Sequence, residues 1–359
     1  MPYSTEQIAA LIGAQCTGTA EGTVKWLLTD SRSLSFPEET LFFALVTKRG
    51  DGHRYIPDLY RRGVRRFVVS ALPSQEQLQQ MPEACFLQVK DTLAALQLLG
   101  EKHRAEYSIP VVGITGSNGK TVVKEWLAQL LSPDRHVTRS PRSYNSQIGV
   151  PLSVWQIDEH TDVALIEAGI SRLNEMKRLK PIINPTIGVL TNIGGAHQEH
   201  FNSLQEKCME KLTLFRDCDI IIYNGDDEEV CESVDRTLQS AREIAWSRRD
   251  ADKPLFISSV KKGEAGTTID YCYLGFQGSY TIPFTDDASI ENSLHCLAVC
   301  LYLRLRPEQI AQRMARLEPV AMRLEVKEAK HGSTLINDSY NSDIASLDIA
   351  LDFMARRPE

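Results

Sequence analysis

Nothing in the 359-residue sequence approaches the unbroken apolar run of about 18 residues that a membrane-spanning helix requires. The opening MPYSTEQIAAL has neither a basic stretch nor an apolar core behind it, so a secretion signal is not indicated. Positive charge is not in surplus: 40 Lys and Arg stand against 47 Asp and Glu, a formal net charge of −7. That balance argues against a protein whose main task is gripping nucleic-acid backbone, while leaving room for a small anion in a local positive pocket. The eight cysteines include no CxxC pair, and Cys296 and Cys300 fall one helical turn apart in an apolar stretch, where cysteine serves as a small core residue. Without a secretion signal all eight read as reduced thiols, and the cytoplasm is the expected compartment. There is no internal repeat and no low-complexity segment. What remains is 42% hydrophobic and 24% charged, the balance of an ordinary globular chain, long enough for two or three domains at about 150 residues each.

The first helix is marked by Ser4 and Gln7 at capping-box spacing, by Ile8, Leu11 and Ile12 on one face, and by Gly13 as its stop. Strand-like runs follow at Lys25–Leu28, Leu41–Leu45, Arg66–Val69 and Phe86–Val89, with helices through Ile56–Arg62 and Thr92–Arg104. Residues 1–108 therefore read as a small N-terminal α/β domain. From 109 to 317 short apolar strands at Val111–Ile114, Val163–Ile166, Ile187–Thr191 and Ile220–Tyr223 alternate with helical sequence, the pattern of a parallel sheet with helices on both faces. Residues 253–284 switch to short β-like runs with glycine turns, an antiparallel flap or edge, and helices Ile290–Leu305 and Pro307–Leu317 close the block. Residues 318–359 hold a strand-like STLIND and a helix from about Ile344, too little for an independent domain and readable as the start of an incomplete third α/β domain.

The most informative stretch is IPVVGITGSNGKT, residues 109–121. An apolar strand, a glycine-rich turn, Lys120–Thr121 and an amphipathic helix carrying Val123, Trp126, Leu127 and Leu130 form a polyphosphate cradle. Gly113, Thr115, Gly116, Ser117, Asn118 and Gly119 would wrap the phosphates, Lys120 would reach the outer phosphates, and the Thr121 hydroxyl a Mg²⁺ ion. The spacing departs from the standard motif, whose first glycine position is Ile114 here, with Gly113 one residue earlier.

Ligands bind at the carboxyl ends of strands in such sheets. The endings here are GSNGKT, EAGIS (167–171), NIGGAH (192–197) and NGDD (224–227), all polar and able to line one crevice. Glu167, at a strand end facing the phosphate loop, suits a Mg²⁺ ligand better than a solvated carboxylate. His197 alone is a weaker metal candidate; with His200 it could suggest zinc, but no Cys or further His has matching spacing. Lys211, in a helix over Leu204–Phe215, reads as a surface lysine. Asn224 and Asp226 could read a base or ribose, or simply form an NGD turn.

GITGSNGKT, EAGIS, TNIGGAHQEHF and NDSYNS (337–342) together resemble the Mur ligases, ATP-dependent amide-forming enzymes of peptidoglycan synthesis, over essentially the whole chain. The extra residue in the phosphate loop is that family's version. TDSR (29–32) with FFAL and GDGH (50–53) resembles members adding the third peptide residue or the terminal dipeptide, and NDSYNS resembles those adding D-alanyl-D-alanine.

The resemblance implies ATP and two Mg²⁺ ions, with UDP-N-acetylmuramoyl-tripeptide and D-alanyl-D-alanine as substrates and no nucleic-acid partner. It implies Lys120 on the phosphates, Thr121 and Glu167 on the first Mg²⁺, His197 on the second, and Lys211 carbamylated by CO₂ as a further metal ligand. Asn292, Arg323 and Asp338 match positions holding adenine, phosphate and ribose; Ser31 and Arg32 match part of the uridine-diphosphate site; Asn145 falls in a loop approaching the sugar-peptide. The family's HNxxN pattern reads Glu291-Asn292-Ser293-Leu294-His295, so its first His and last Asn are replaced. The ending MARRPE suits a cut from a longer protein, and some members carry a fused alanine racemase domain, expected here beyond residue 359. Alternatives are a third-residue-adding or folylpolyglutamate-type ligase, a nucleotide-binding fragment without activity, and, with no suitable partner Asp, a P-loop kinase or GTPase.

Overall fold

The computed structural model describes residues 3–19, 21–48, 50–194, 200–238, 241–321 and 351, and the backbone of Glu325–Glu328 and Thr334–Asn337. It divides into two compact units. The first comprises Met1–Ser108 with Gln147–Glu159 and Pro181–Ile183; the second comprises Ile109–Ser146, His160–Lys180 and Asn184–Glu359.

The first unit begins with helix α1 (Thr5–Ile12), capped as its sequence dictates. The Ser4 hydroxyl accepts from Gln7 N at 3.1 Å, the Gln7 side chain accepts from Ser4 N at 2.8 Å, and Gly13 ends the helix at φ +63°. Strands β1 (Gln15–Thr17), β2 (Trp26–Leu28), β3 (Thr40–Phe43), β4 (Arg66–Val69) and β5 (Cys85–Gln88) form a five-stranded sheet in the order β1-β5-β4-β3-β2. Only β1 runs antiparallel to its neighbour. Strand alternation sends Leu41, Phe43, Val68 and Leu87 to one core with Ile8, Leu96 and Leu99. Phe42, Phe67, Val69 and Phe86 go to a second core on the opposite face. Helix α2 (Thr92–Ala105), capped by Asp91, covers the first of these cores.

The second unit is built on a nine-stranded sheet. Its strands are β6 (Val111–Thr115), β7 (Val137–Arg139), β8 (Val163–Glu167), β9 (Ile187–Leu190), β10 (Ile220–Asn224), β11 (Arg242–Ser247), β12 (Leu255–Gly263), β13 (Gly266–Tyr273) and β14 (Phe276–Ile282). The order is β7-β8-β6-β9-β10-β11-β12-β13-β14, parallel through β12 and antiparallel beyond it. The chain leaves β6 for β7 and β8 on one side, then crosses to β9 and β10 on the other. Strand order thus reverses at β6, whose carboxyl end becomes the natural ligand crevice.

Helices α3 (Lys120–Leu131), α4 (Leu204–Leu212), α5 (Asp287–Tyr302) and α6 (Pro307–Met314) flank this sheet. Val123, Trp126, Leu127 and Leu130 of α3 pack with Ile290, Leu294 and Leu297 of α5 over Ile114, Val189 and Ile222. Two strands of this sheet carry no clear strand pattern in the sequence. Val137–Arg139 is a short edge strand with one apolar residue, and Arg242–Ser247 opens on two charges that hide its apolar end. The 255–282 segment is an edge of this same sheet, not a separate flap. Helix α5 starts earlier than its apolar face suggests because Asp286 accepts from Ser289 N at 2.7 Å. The helix expected from Ile344 lies outside the described residues.

Candidate functional site

The crevice at the end of β6 is assembled from the backbone outward. Thr115 closes the strand with its hydroxyl donating to Ala168 O at 2.8 Å, which ties β6 to the end of β8. Gly116, at φ +148°, passes so close to the end of β9 that a Cβ there would lie 1.9 Å from Thr191 Oγ1. Ser117 N donates to Asn192 O at 2.8 Å and Asn118 N to Asn192 Oδ1 at 2.9 Å. The Ser117 hydroxyl accepts from Gly194 N at 2.9 Å. The NIGG ending thus holds the phosphate loop in shape.

Gly119, at φ +82°, precedes α3 and lies against Asn292 of α5; an added Cβ would sit 2.3 Å from Asn292 Oδ1. Glycine is needed here both for the left-handed backbone and for that approach. Gly113, by contrast, lies inside β6, where an added Cβ would be 2.9 Å from Pro185 Cβ, so packing accounts for that glycine.

Three lysines donate to carbonyls here, two of them to the phosphate loop and one to the NIGG ending. Lys120 Nζ donates to Gly116 O and Ser117 O, both at 2.9 Å. Lys211 Nζ donates to Gly116 O at 2.9 Å, and Lys207 to Gly194 O. Lys211 and Lys207 are both buried, which corrects the sequence-based reading of Lys211 as a surface residue. Burial, reinforced by the neighbouring Lys120 and Lys207 charges, holds the Lys211 ammonium well below its usual range. The Lys120 and Lys207 ammonium groups beside the loop backbone make a receptor for a polyanion, with Lys211 as the buried amine between them.

The end of β8 supplies the opposing charge. Glu167 is 1% exposed; it accepts from the Thr121 hydroxyl at 3.0 Å and from Asn145 Nδ2 at 2.7 Å. Its neighbour Lys124 is fully buried, with Nζ 3.8 Å from Glu167 Oε2 and donating to Ser140 O at 2.8 Å, to Arg142 O and to the adjacent Glu125. Lys124 therefore pins the 140–145 loop beside Glu167, a role unmarked in sequence except that a lysine interrupts the apolar face of α3. Thr121, Glu167 and Asn145, predicted from separate motifs, are brought together here.

Farther along the carboxyl edge, a pocket of about 410 Å³ is bordered by Asn224, Asp226, Trp246, Arg248 and Glu291. Asn224 Oδ1 accepts from Asp226 N at 2.9 Å. Burial raises the Glu291 carboxyl above its ordinary value, against the opposing pull of Arg248. His295 does not face a ligand. It is buried, accepting from Trp246 Nε1 at 3.2 Å on Nδ1 and donating from Nε2 to Thr191 O at 2.9 Å.

His197, Arg323 and Asp338 lie outside the described residues, and His200 is exposed. Among the described residues no cluster of three or more His, Cys, Asp or Glu has metal-holding geometry. In the first unit, Arg32 is exposed and paired with Asp30 at 2.7 Å, while Ser31 O accepts from Arg62 at 2.8 Å. The short distance between Asp30 and Arg32 gives that turn its shape, with Asp30 held below the usual carboxylate range by the guanidinium.

The model of the Mur ligase middle domain matches residues 114–300, more than half the chain. The chain is 29% identical over 327 residues to the UDP-N-acetylmuramoyl-tripeptide–D-alanyl-D-alanine ligase of Bacillus subtilis, covering 90% of this chain and 68% of that one. Its fold is similar to MurF from Acinetobacter baumannii, with a TM-score of 0.89 at 22% identity over 100% of this chain and 77% of that one. It is also similar to MurF ligase from Thermotoga maritima in complex with ADP, with a TM-score of 0.79 at 22% identity over 93% and 75%. The order of β-strand endings around the lysine-lined loop and the span of the family match agree, and the chain belongs to the Mur ligase family.

Proposed function

We infer that the chain is an ATP-dependent amide ligase that joins D-alanyl-D-alanine to UDP-N-acetylmuramoyl-tripeptide in peptidoglycan precursor synthesis. The relatives carry that activity in their names, and family membership is established on residues 114–300. The observation that carries the reading is the convergence of Lys120 and Lys211 on the phosphate-loop carbonyls, with Lys207 on the neighbouring Gly194 O and the buried Glu167 beside Thr121. A tripolyphosphate and a carboxylate nucleophile are both anionic, and this site meets their combined charge.

The reaction runs in two steps. The tripeptide's terminal carboxylate displaces ADP from the γ-phosphorus of ATP, giving an acyl phosphate. The amine of D-alanyl-D-alanine then attacks that carbonyl, and phosphate departs as the amide forms. Positioning and charge neutralisation are the protein's contribution. Lys120 holds the outer phosphates, and Gly116–Gly119 keeps the backbone close to them. Asn292 fixes the loop from the α5 side through its contact with Gly119. Asn145 orients Glu167 and faces the peptide substrate, while Ser31 and Arg32 take the uridine-diphosphate end.

Thr121 and Glu167 are hard oxygen donors 3.0 Å apart at the end of the loop, a set that fits Mg²⁺. When bound, Mg²⁺ supplies charge neutralisation on the phosphates. The lowered Lys211 pKa favours the neutral amine, the form that adds CO₂, which supports a carbamate at this position. His197, Arg323 and Asp338 keep their family-based assignments to metal, phosphate and ribose. The reaction belongs in the cytoplasm, where ATP and UDP-linked precursors are found.

Phosphate release should require ATP, UDP-tripeptide and D-alanyl-D-alanine together, and free amino acids should not replace the dipeptide. Release with single amino acids but not the dipeptide would move the chain to a different ligase. Incubation with ¹³C-bicarbonate should give a carbamate signal by NMR that is lost in Lys211→Arg.

A further inference from the structure

We propose that Cys16 and Cys85 are a redox-modification site, a pair of thiols that a peroxide converts into a disulfide closing the edge of the first unit's sheet.

The register between β1 and β5 sets the two thiols against each other. Cys16 lies opposite Leu87, and Cys85, two residues back along β5, shares that face of the sheet. The Cys16 and Cys85 sulfurs are 3.2 Å apart, one thiol donating to the other. A disulfide bond measures about 2.05 Å, so closing it brings the sulfurs together by roughly 1.2 Å. The chain beyond β1 holds this approach. Gly18, at φ +84°, runs so near β5 that an added Cβ would lie 2.2 Å from Ala84 O. The Gly18 carbonyl also faces the Cys16 thiol, at 3.5 Å.

Exposure gives the two sulfurs different parts. Of the eight cysteines Cys16 alone is exposed. Cys85 is 1% exposed and packs with Ile8, Leu87 and Leu96 in the core on that face. An oxidant from solvent therefore meets Cys16 first, with a shielded second sulfur already in contact. That is the arrangement of a reactive cysteine and its resolving partner. The buried Cys208, Cys218, Cys296 and Cys300 thiols are pushed up by burial, which keeps them protonated and inert.

With hydrogen peroxide as the oxidant the chemistry balances in two parts. The Cys16 sulfur attacks one peroxide oxygen, the O–O bond breaks, and Cys16 becomes a sulfenic acid as one water leaves. The Cys85 sulfur then attacks the Cys16 sulfur and the S–O bond breaks. Hydroxide departs with the Cys85 proton as a second water, so two thiols are oxidised and the peroxide is reduced to water. An external dithiol reverses the bond by exchange.

Strand β1 is three residues long and lies at the edge of its sheet. A covalent tie to β5 stops that edge from fraying and closes a long loop in the unfolded chain. Ser31 and Arg32 follow β2 at the opposite edge. The disulfide therefore acts on the stability of the first unit, not on that turn.

Treating the reduced whole chain with hydrogen peroxide, then alkylating and mapping it by mass spectrometry, tests this. The wild type should lose the mass of two hydrogens and yield peptides joined through Cys16 and Cys85, a change that dithiothreitol reverses. Its melting temperature should rise by about 5 °C on oxidation, as expected for a long closed loop. Cys16→Ser alters an exposed side chain and should show neither the joined peptides nor the rise. Cys85→Ala should leave Cys16 as a sulfenic acid that dimedone traps, a species the wild type does not accumulate. An unchanged mass after peroxide would overturn the proposal, as would a disulfide formed mainly between other cysteines. So would conversion of Cys16 to a sulfinic or sulfonic acid without the joined peptides, or an oxidised wild type that melts no higher than the reduced one.

Discussion

Two residues in the crevice show how little tolerance it has. Gly119 combines φ +82° with an approach that puts any Cβ 2.3 Å from Asn292 Oδ1. Gly119→Ala therefore meets a left-handed penalty of roughly 1–2 kcal/mol and a clash with the side chain that braces the loop. The expected outcome is at least a tenfold loss of ADP affinity by calorimetry, with a visible drop in melting temperature. Lys124 is a different case, an ammonium with no access to solvent whose partners are Ser140 O, Arg142 O, Glu125 and Glu167. Lys124→Met removes that donor and leaves two carbonyls and a buried carboxylate without it. Breaking such a cluster from one side costs about 3–5 kcal/mol, so urea unfolding should shift sharply. A loss under 1 kcal/mol would mean the 140–145 loop is held by Asn145 and Ser143 instead.

Helix α5 ties the crevice to the sheet, and His295 is its anchor. The imidazole accepts from Trp246 of β11 and donates to Thr191 at the end of β9, the residue against which Gly116 packs. That pattern demands the neutral ring, and burial lowers its pKa to about 4 from 6.5. Between those values the unfolded chain binds a proton that the native one does not. Stability therefore falls as pH drops from 6.5 towards 4, by as much as roughly 3 kcal/mol across the window. His295→Gln keeps a donor and an acceptor without titrating, so its unfolding curves at pH 7 and pH 5 should differ less than those of the wild type. This role was hidden in the sequence, where position 295 registers only as a departure from HNxxN. The strands were easier to see: Arg66–Val69 was marked at both ends, and Ser4, Gln7 and Gly13 fixed α1. The phosphate loop was legible because its chemistry is consecutive. Lys124 and Lys207 were not, because their burial depends on loops distant in sequence, and no pattern of spacing marks a lysine that will lose its water.

Each compact unit carries its own half of the proposed chemistry, and that separation is testable on the whole molecule. The phosphate loop, its lysines and Glu167 belong to the second unit, whereas Ser31 and Arg32 belong to the first. Arg32 is exposed and held in a local turn by Asp30, so replacing it disturbs neither core. Arg32→Ala should raise the KM for UDP-tripeptide about tenfold, the scale of one lost charge-assisted contact, while leaving ADP affinity within about twofold. Lys120→Ala should do the converse, abolishing turnover and weakening ADP while UDP-tripeptide still binds. Steady-state assays and calorimetry on the two variants give four numbers, and the reading requires them to cross. If Arg32→Ala lowered ADP affinity as much as substrate affinity, the anionic groups of both ligands would share one binding surface, and the assignment of the uridine-diphosphate end to Ser31 and Arg32 would fall.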